Sequence, residues 1–180
     1  LIFVTNMDDD HASYRELVVK LETKFGRKIA PFQLPIRENE KFVGFVNVVK
    51  MGGRRFTNLS DYEECEIPEY SKKNLGIARD ALLEAVAETS EEYMERYFSG
   101  EEFTLDEIQG ALREHVIDGS IVPVLMGSGI NCQGFKVLLQ AIDKYFPSPD
   151  HFECIGVDVS TGERFTAKYN DDVNLSARVF

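Results

Sequence analysis

Two short, continuous apolar runs constrain the fold of this chain more than any other feature of its sequence. They span residues 1–4 and 121–126, and each is followed by a small polar loop and then by a helical pattern. Runs of this length are typical of strands that are covered on both faces in a parallel sheet. The repeated order of strand, loop and helix therefore predicts an α/β fold.

The two predicted helices show the spacing of an amphipathic stripe. The first carries apolar residues at helical intervals and ends at Gly26, a residue favoured after a helix: Tyr14, Leu17, Val18, Leu21 and Phe25. The second is stopped by Pro147 and Pro149, and we expect its inward face to contain Phe135, Leu138, Leu139, Ile142 and Phe146.

The sequence between these two units changes its period. Residues 41–50 are rich in β-branched and aromatic side chains, and a Gly-Gly turn at 51–54 leads to further extended segments up to residue 68. Helical stripes return at 75–100 and after the capping pattern that begins at Thr104. An antiparallel meander plus helices, set into a parallel sheet, is therefore predicted as an inserted α+β subdomain.

The net charge supports the same division. Residues 61–107 contain 15 acidic side chains against four basic ones, a net charge of −11, which equals the charge of the whole 180-residue chain. The remainder is therefore neutral. An acidic balance of this size argues against a surface built to bind a nucleic-acid backbone.

Three widely spaced cysteines and the absence of a long apolar run indicate the compartment. Cys65, Cys132 and Cys154 form no C-x-x-C pair, which favours reduced thiols in the cytoplasm. No run approaches the roughly 20 apolar residues of a membrane helix, so no membrane partner is expected. Because the sequence begins and ends within strand-like runs, we expect this chain to be a piece of a longer protein.

The loops after the two apolar runs are the candidate ligand site, because ligands of α/β sheets bind beyond the carboxyl ends of strands. In the first loop, the Asp8 carboxylate could accept two N–H groups from one edge of a purine. Backbone N–H groups of Gly127-Ser128-Gly129 could meet a base carbonyl. The plainer alternatives are a helix N-cap or metal ligand for Asp8 and a turn-forming role for Ser128.

These loops, in this order, resemble the base-recognition motifs of translational GTPases, and the chain is similar to the elongation factor G family. The N-K-x-D motif of that family corresponds to Thr5-Asn6-Met7-Asp8, and its G-S-A loop corresponds to Gly127-Ser128-Gly129. The similarity continues through residues 82–88, 97–102, 123–128 and 138–149.

The resemblance implies part of a P-loop GTPase parallel sheet with an inserted subdomain, usually called G-prime. The implied boundaries are 1–28 for the first part of the GTPase domain, 29–117 for the insertion, 118–150 for the last strand and helix, and 151–180 for a linker with the first strand of β-barrel domain II. Residues 151–180 also have the pattern of a short hairpin.

The resemblance also implies the ligand and the role of each site residue. GTP or GDP would bind, with Mg²⁺ in the intact protein. Asp8 would read the guanine edge, Thr5 and Asn6 would occupy the positions of the family's Asn and Lys, and Ser128 and Gly129 would supply N–H groups. Thr5 keeps only a hydroxyl, and Asn6 lacks the long stem and charge of Lys. The sequence contains no G-x-x-x-x-G-K-[ST] motif, so we expect this segment to be inactive alone.

The implied activity is GTP-driven translocation on the ribosome. The acidic segment 61–107 would contact the ribosomal stalk protein, although solvated helix faces explain most such charge runs. Two alternatives remain open. One is another ribosomal GTPase, either a class II release factor or a ribosomal protection protein, and the other is a protein-interaction module whose nucleotide binding has decayed. We expect the segment itself to be monomeric.

Overall fold

The structure is a computed structural model that describes residues 1–26, 28–58, 60–148, 151 and 153–167. It divides into two units, Leu1–Phe146 and Pro147–Phe180. In chain order, the elements of the first unit are β1 (Ile2–Val4), α1 (Tyr14–Phe25), β2 (Ile29–Pro31), β3 (Gln33–Glu38), β4 (Lys41–Asn47), β5 (Gly52–Phe56), β6 (Tyr62–Cys65), α2 (Glu69–Ala87), α3 (Glu91–Ser99), α4 (Leu105–Ile117), β7 (Val122–Met126) and α5 (Phe135–Tyr145).

The predicted parallel sheet is present, with the strand order β1-β7-β2. Val4 of β1 lies opposite Met126 of β7, and Ile29 of β2 lies opposite Val122. The central strand β7 is buried along most of its length, as its apolar sequence predicts. Strand β1 is only half-buried, because among the described strands it pairs with β7 alone. The fold is therefore mixed α/β, with a parallel sheet as expected.

The predicted meander is also present as an antiparallel sheet in the order β3-β4-β5-β6. The expected Gly-Gly turn is wrong in position, since Gly52 and Gly53 lie inside β5 and the chain reverses before them, where Met51 has φ 54°. A Cβ atom on Gly53 would lie 2.6 Å from the carbonyl oxygen of Cys65. The glycine thus permits close strand approach rather than a turn.

The two sheets meet at Phe32. Its N–H donates to the Val124 carbonyl at 3.1 Å, and its own carbonyl accepts the Val48 N–H at 3.0 Å. Strand β2 lies beyond the predicted boundary at residue 28, yet it belongs to the parallel sheet. That sheet therefore extends to Pro31, and the antiparallel sheet begins two residues later.

The helical stripe expected over 75–100 is divided between α2 and α3. Helix α2 begins earlier than predicted, at Glu69 directly after Pro68, and α3 begins after Ser90, whose hydroxyl accepts the Tyr93 N–H at 3.1 Å. Helix α3 ends at Gly100, which has the left-handed conformation that glycine favours. The local capping residues explain the break, since Ser90 starts a new helix after a short turn.

One hydrophobic core joins the insertion to the parallel sheet. Helices α2 and α4 bury Val86, Ile108 and Leu112 against residues of both sheets, including Val46 and Leu125. The insertion predicted from the sequence is therefore packed into the same core as the flanking strands.

Helix α5 buries a different face from the one predicted. Val137, Ala141 and Tyr145 face the core, whereas most of the predicted inward residues are exposed, with Leu139 at 67%. The exposed stripe consists of Phe135, Leu139, Ile142 and Phe146. The larger apolar side chains thus point away from the core that the described residues form.

The second unit contains the predicted hairpin, with β8 (Cys154–Val157) antiparallel to β9 (Arg164–Ala167). The turn between them is closed by Asp158, whose carboxylate accepts the N–H groups of Ser160 at 2.8 Å and Thr161 at 3.2 Å. The expected start of a β-barrel domain falls partly on residues 168–180, which lie outside the described residues. In the part of the chain that is described, no helix is long and apolar enough to cross a membrane.

Replacing Gly44 by Ala should destabilise the meander, because the added Cβ would lie 2.1 Å from the Arg54 carbonyl oxygen. We expect Gly44→Ala to lower the free energy of unfolding by about 2 kcal/mol. Gly76→Ala is the matched control, since Gly76 lies in α2 with open space around it. It should raise the same quantity by about 0.5–1 kcal/mol. Urea denaturation measures both, and equal effects of one sign would contradict this packing.

The stability of the α3–α4 region should fall in acid. The Glu107 carboxylate accepts from Arg96 at 2.7 Å and from the Thr104 N–H at 2.7 Å, and these bonds lower the pKa of Glu107 to about 2. Because the folded pKa lies below its ordinary value of 4.5, the stabilisation is complete above pH 4.5 and is lost as the pH falls towards 2.

The difference in unfolding free energy between wild type and Glu107→Gln should therefore shrink steadily between pH 4.5 and pH 2. Glu95→Gln is a suitable control, because Glu95 is exposed on α3. A difference that stayed constant over this pH range would show that the Arg96 and Thr104 contacts do not shift the titration of Glu107.

Candidate functional site

The pairing of β1 with β7 places the two predicted ligand loops side by side. The Gly127 N–H donates to the Val4 carbonyl at 2.9 Å, which extends the parallel ladder by one residue. The Met7 N–H then donates to the Gly127 carbonyl at 3.1 Å. The loops over residues 5–8 and 127–131 are therefore linked directly at the carboxyl ends of neighbouring strands, where ligands of such sheets bind.

The first loop is anchored by one side chain and exposes two others. Met7 is buried, with 1% of its surface exposed, whereas Thr5 and Asn6 point into solvent. Asn6 has φ 60°, a left-handed conformation that Asn tolerates better than most residues. Its carbonyl accepts the Asp9 N–H at 3.1 Å, so the loop turns sharply around Asp8.

Asp8 has a carboxylate oxygen in need of a donor. Its Oδ1 atom is shielded from solvent and has no hydrogen-bond partner within the described residues. A shielded oxygen without a donor costs free energy, so it requires an explanation. The N-cap alternative for Asp8 is wrong, because α1 begins at Tyr14 and Ser13 is its N-cap.

The second loop is shaped by Ser128. This residue is fully buried, its N–H donates to the Gln133 carbonyl at 3.0 Å, and its Oγ atom accepts the Asn131 N–H at 3.1 Å. These contacts correspond to the turn-forming alternative. The expected role of Ser128 as an N–H donor to a ligand needs correction, because that N–H is already bonded within the protein.

Gly129 differs from Ser128 both in its exposure and in the state of its N–H. It is exposed, and a Cβ atom added to it would meet no atom within 4 Å. Its carbonyl accepts the Cys132 N–H at 3.4 Å, but its own N–H has no partner in the described part of the chain. Of the two predicted donors, Gly129 is therefore the accessible one.

A residue that the sequence did not single out contacts the first loop from the meander. The Arg37 guanidinium lies against backbone carbonyls of Met7, Asp9 and Ala12. Arg37 is 30 positions from Met7, and no motif or periodicity joins the two. Only the folded arrangement of β3 beside the loop could have shown this contact.

The alternative in which Asp8 is a metal ligand would require further ligands close to it. Within the described residues, no group of three or more His, Cys, Asp and Glu side chains is arranged to hold a metal ion. The Asp9 carboxylate instead accepts the His11 N–H at 2.8 Å, which is a local turn contact. Cys65 and Cys132 are free thiols.

The acidic segment presents carboxylates where α2 ends and α3 begins. Glu88, Glu91, Glu92 and Glu95 are all exposed there. Arg96, on the same helix, is paired with Glu101 at 3.0 Å and with Glu107 at 2.7 Å. Within the described residues, none of these four carboxylates forms an ion pair. We call this junction, residues 88–95, the α2–α3 acidic surface.

Comparison with known proteins shows a likeness to a solved structure. A scan against family models gives no match. Among solved structures, the chain is similar to a crystal structure of a protein from Thermus thermophilus, with a TM-score of 0.75 and 32% sequence identity over 84% of this chain. The likeness supports the α/β arrangement described above. The chain spans only 22% of that Thermus chain.

Proposed function

We propose that this chain is a segment of a cytoplasmic, ribosome-associated translational GTPase resembling elongation factor G, and that it carries the guanine-recognition loops. One observation carries the proposal. The β1–β7 pairing sets the loop of Asp8, whose Oδ1 atom has no donor among the described residues, beside the loop that carries the accessible N–H of Gly129.

The hydrogen-bonding groups of guanine match these two loops. Its N1–H and exocyclic amine lie on one edge and would donate to the two oxygens of Asp8. Its carbonyl oxygen lies beside that edge and would accept from Gly129. Adenine offers an unprotonated N1 and an amine in place of that carbonyl, so the same site would reject it. GDP and GTP would therefore suit one acceptor, Asp8, and one donor, Gly129, and Thr5 and Asn6 would lie in the positions of the family's Asn and Lys.

The phosphates would be held elsewhere in the intact protein. The 180 residues contain no phosphate-binding loop, and no catalytic residue or Mg²⁺ ligand is assigned to them. We propose that the intact protein hydrolyses GTP to drive translocation on the ribosome. The exposed apolar stripe of α5 and the one-sided pairing of β1 among the described strands support a segment of a larger domain.

A change of nucleotide specificity on substitution of Asp8 tests the proposal. Calorimetric titration of the full-length protein that contains this chain should show GDP binding, and Asp8→Asn should weaken it by at least about 100-fold. The variant should gain affinity for xanthosine diphosphate, because xanthine carries a carbonyl where guanine carries its amine. Asp10→Asn is the control, since Asp10 is exposed in the same loop. Absence of GDP binding in the wild type would refute the proposal.

The second candidate is a protein-interaction module with decayed nucleotide binding. It is favoured by Thr5 and Asn6, which lack the charge and long stem of the residues they replace, and by the α2–α3 acidic surface. Absence of GDP binding in the titration above would favour it. The sequence on either side of this segment would separate the other ribosomal GTPases, because their barrel and tail domains differ.

The stalk protein is the partner that we propose for the acidic surface. Reversing the charges of Glu88, Glu91, Glu92 and Glu95 together should weaken binding to the purified stalk protein, and the wild-type interaction should weaken with added salt. Reversal of Glu16 and Glu22, which are exposed on α1, is the control. Unchanged stalk binding after the fourfold reversal, with the helical content retained, would exclude this surface as the docking site.

A further inference from the structure

We infer that Arg37 is a positioning residue for guanine binding, through which the inserted meander fixes the loop that carries Asp8. This inference rests on the proposed function, since it concerns the same base site. Arg37 lies in β3, outside both recognition motifs, and its proposed role is to hold the Asp8 loop in the conformation that binds guanine.

The guanidinium of Arg37 contacts the loop at three backbone carbonyls. Its Nη2 atom lies 2.8 Å from the Met7 oxygen and 3.3 Å from the oxygens of Asp9 and Ala12. Its Nη1 atom donates to the Glu40 carbonyl at 2.6 Å, which orients the guanidinium plane. Such bonds from a charged donor are stronger than bonds between neutral groups.

The backbone of Arg37 is also held by hydrogen bonds. The pairing of β3 with β4 shifts register between Ile36 and Arg37, so the ladder is irregular at this point. Tyr70 of α2 bonds to the backbone of Arg37 there. Its hydroxyl accepts the Arg37 N–H at 3.0 Å and donates to the Arg37 carbonyl at 2.9 Å.

These contacts hold the chain on either side of Asp8. The Met7 carbonyl lies in the peptide group directly before Asp8, the Asp9 carbonyl lies in the peptide group between Asp9 and Asp10, and both accept from Arg37. The Met7 N–H is bonded on the other side to Gly127. The loop is therefore held between β7 and the meander, and Arg37 forms no ion pair with a carboxylate in the described part of the chain.

Arg37→Ala in the full-length protein should weaken GDP binding by about 10- to 100-fold, because a small displacement of the Asp8 carboxylate misaligns two hydrogen bonds at once. Arg79→Ala is the matched control. The Arg79 guanidinium also binds backbone carbonyls, those of Val48 at 3.2 Å and Val49 at 2.9 Å, but these belong to the β4–β5 turn. It should leave GDP affinity within about twofold of wild type while lowering stability.

Two further measurements separate positioning from general stability. Methylguanidinium added to Arg37→Ala should restore part of the GDP affinity, whereas methylammonium should not, because only the former reproduces the planar fork of donors. Tyr70→Phe keeps the Arg37 side chain and removes the hydroxyl that holds its backbone. It should cause a smaller loss of affinity in the same direction, and it keeps the inference testable if Arg37→Ala does not fold.

The outcomes distinguish this inference from the proposed function. If the wild type binds GDP but Arg37→Ala binds it equally well, or loses no more affinity than Arg79→Ala, the positioning role is wrong and the proposed function stands. If Tyr70→Phe alone can be studied, unchanged GDP affinity overturns the inference in the same way. If the wild type does not bind GDP at all, the proposed function itself fails, and this inference fails with it.

Discussion

Strands β1 and β7 pair as parallel neighbours although residues 5–121 separate them in sequence, and the rest of the structure depends on this pairing. It continues beyond the strands through Val4, Gly127 and Met7, so both loops leave the sheet at the same point. The meander then joins the parallel sheet at Phe32, which bonds to both Val124 and Val48. The inserted subdomain, which carries the acidic segment, thus shares one core with the flanking strands. Arg37 lies where the insertion meets the Asp8 loop.

Much of this arrangement could be predicted from local patterns. Continuous apolar runs identified β1 and β7, β-branched and aromatic residues identified the meander, and the capping pattern at Thr104 identified the start of α4. The position of the candidate site also followed, because the carboxyl ends of parallel strands meet at one edge. These features depend on neighbours within a few residues, which a single sequence records directly.

The remainder depends on contacts between distant residues. Strand β2 is too short to show a period, and it becomes a strand only because β7 offers a free edge. Most of the larger apolar side chains of helix α5 lie on a face that the described residues leave exposed. The helical pattern of these side chains therefore predicted the wrong buried face. The bonded N–H of Ser128 and the reach of Arg37 to the Asp8 loop are likewise set by the folded arrangement rather than by a local motif.

The most direct test of the guanine-site proposal is a crystal structure of the full-length protein with GDP. Our account predicts that the guanine edge contacts the Asp8 carboxylate, that its carbonyl oxygen contacts the Gly129 N–H, and that the Met7–Gly127 bond remains in place. A guanine base bound away from these two loops, or one that contacts them without Asp8, would contradict it.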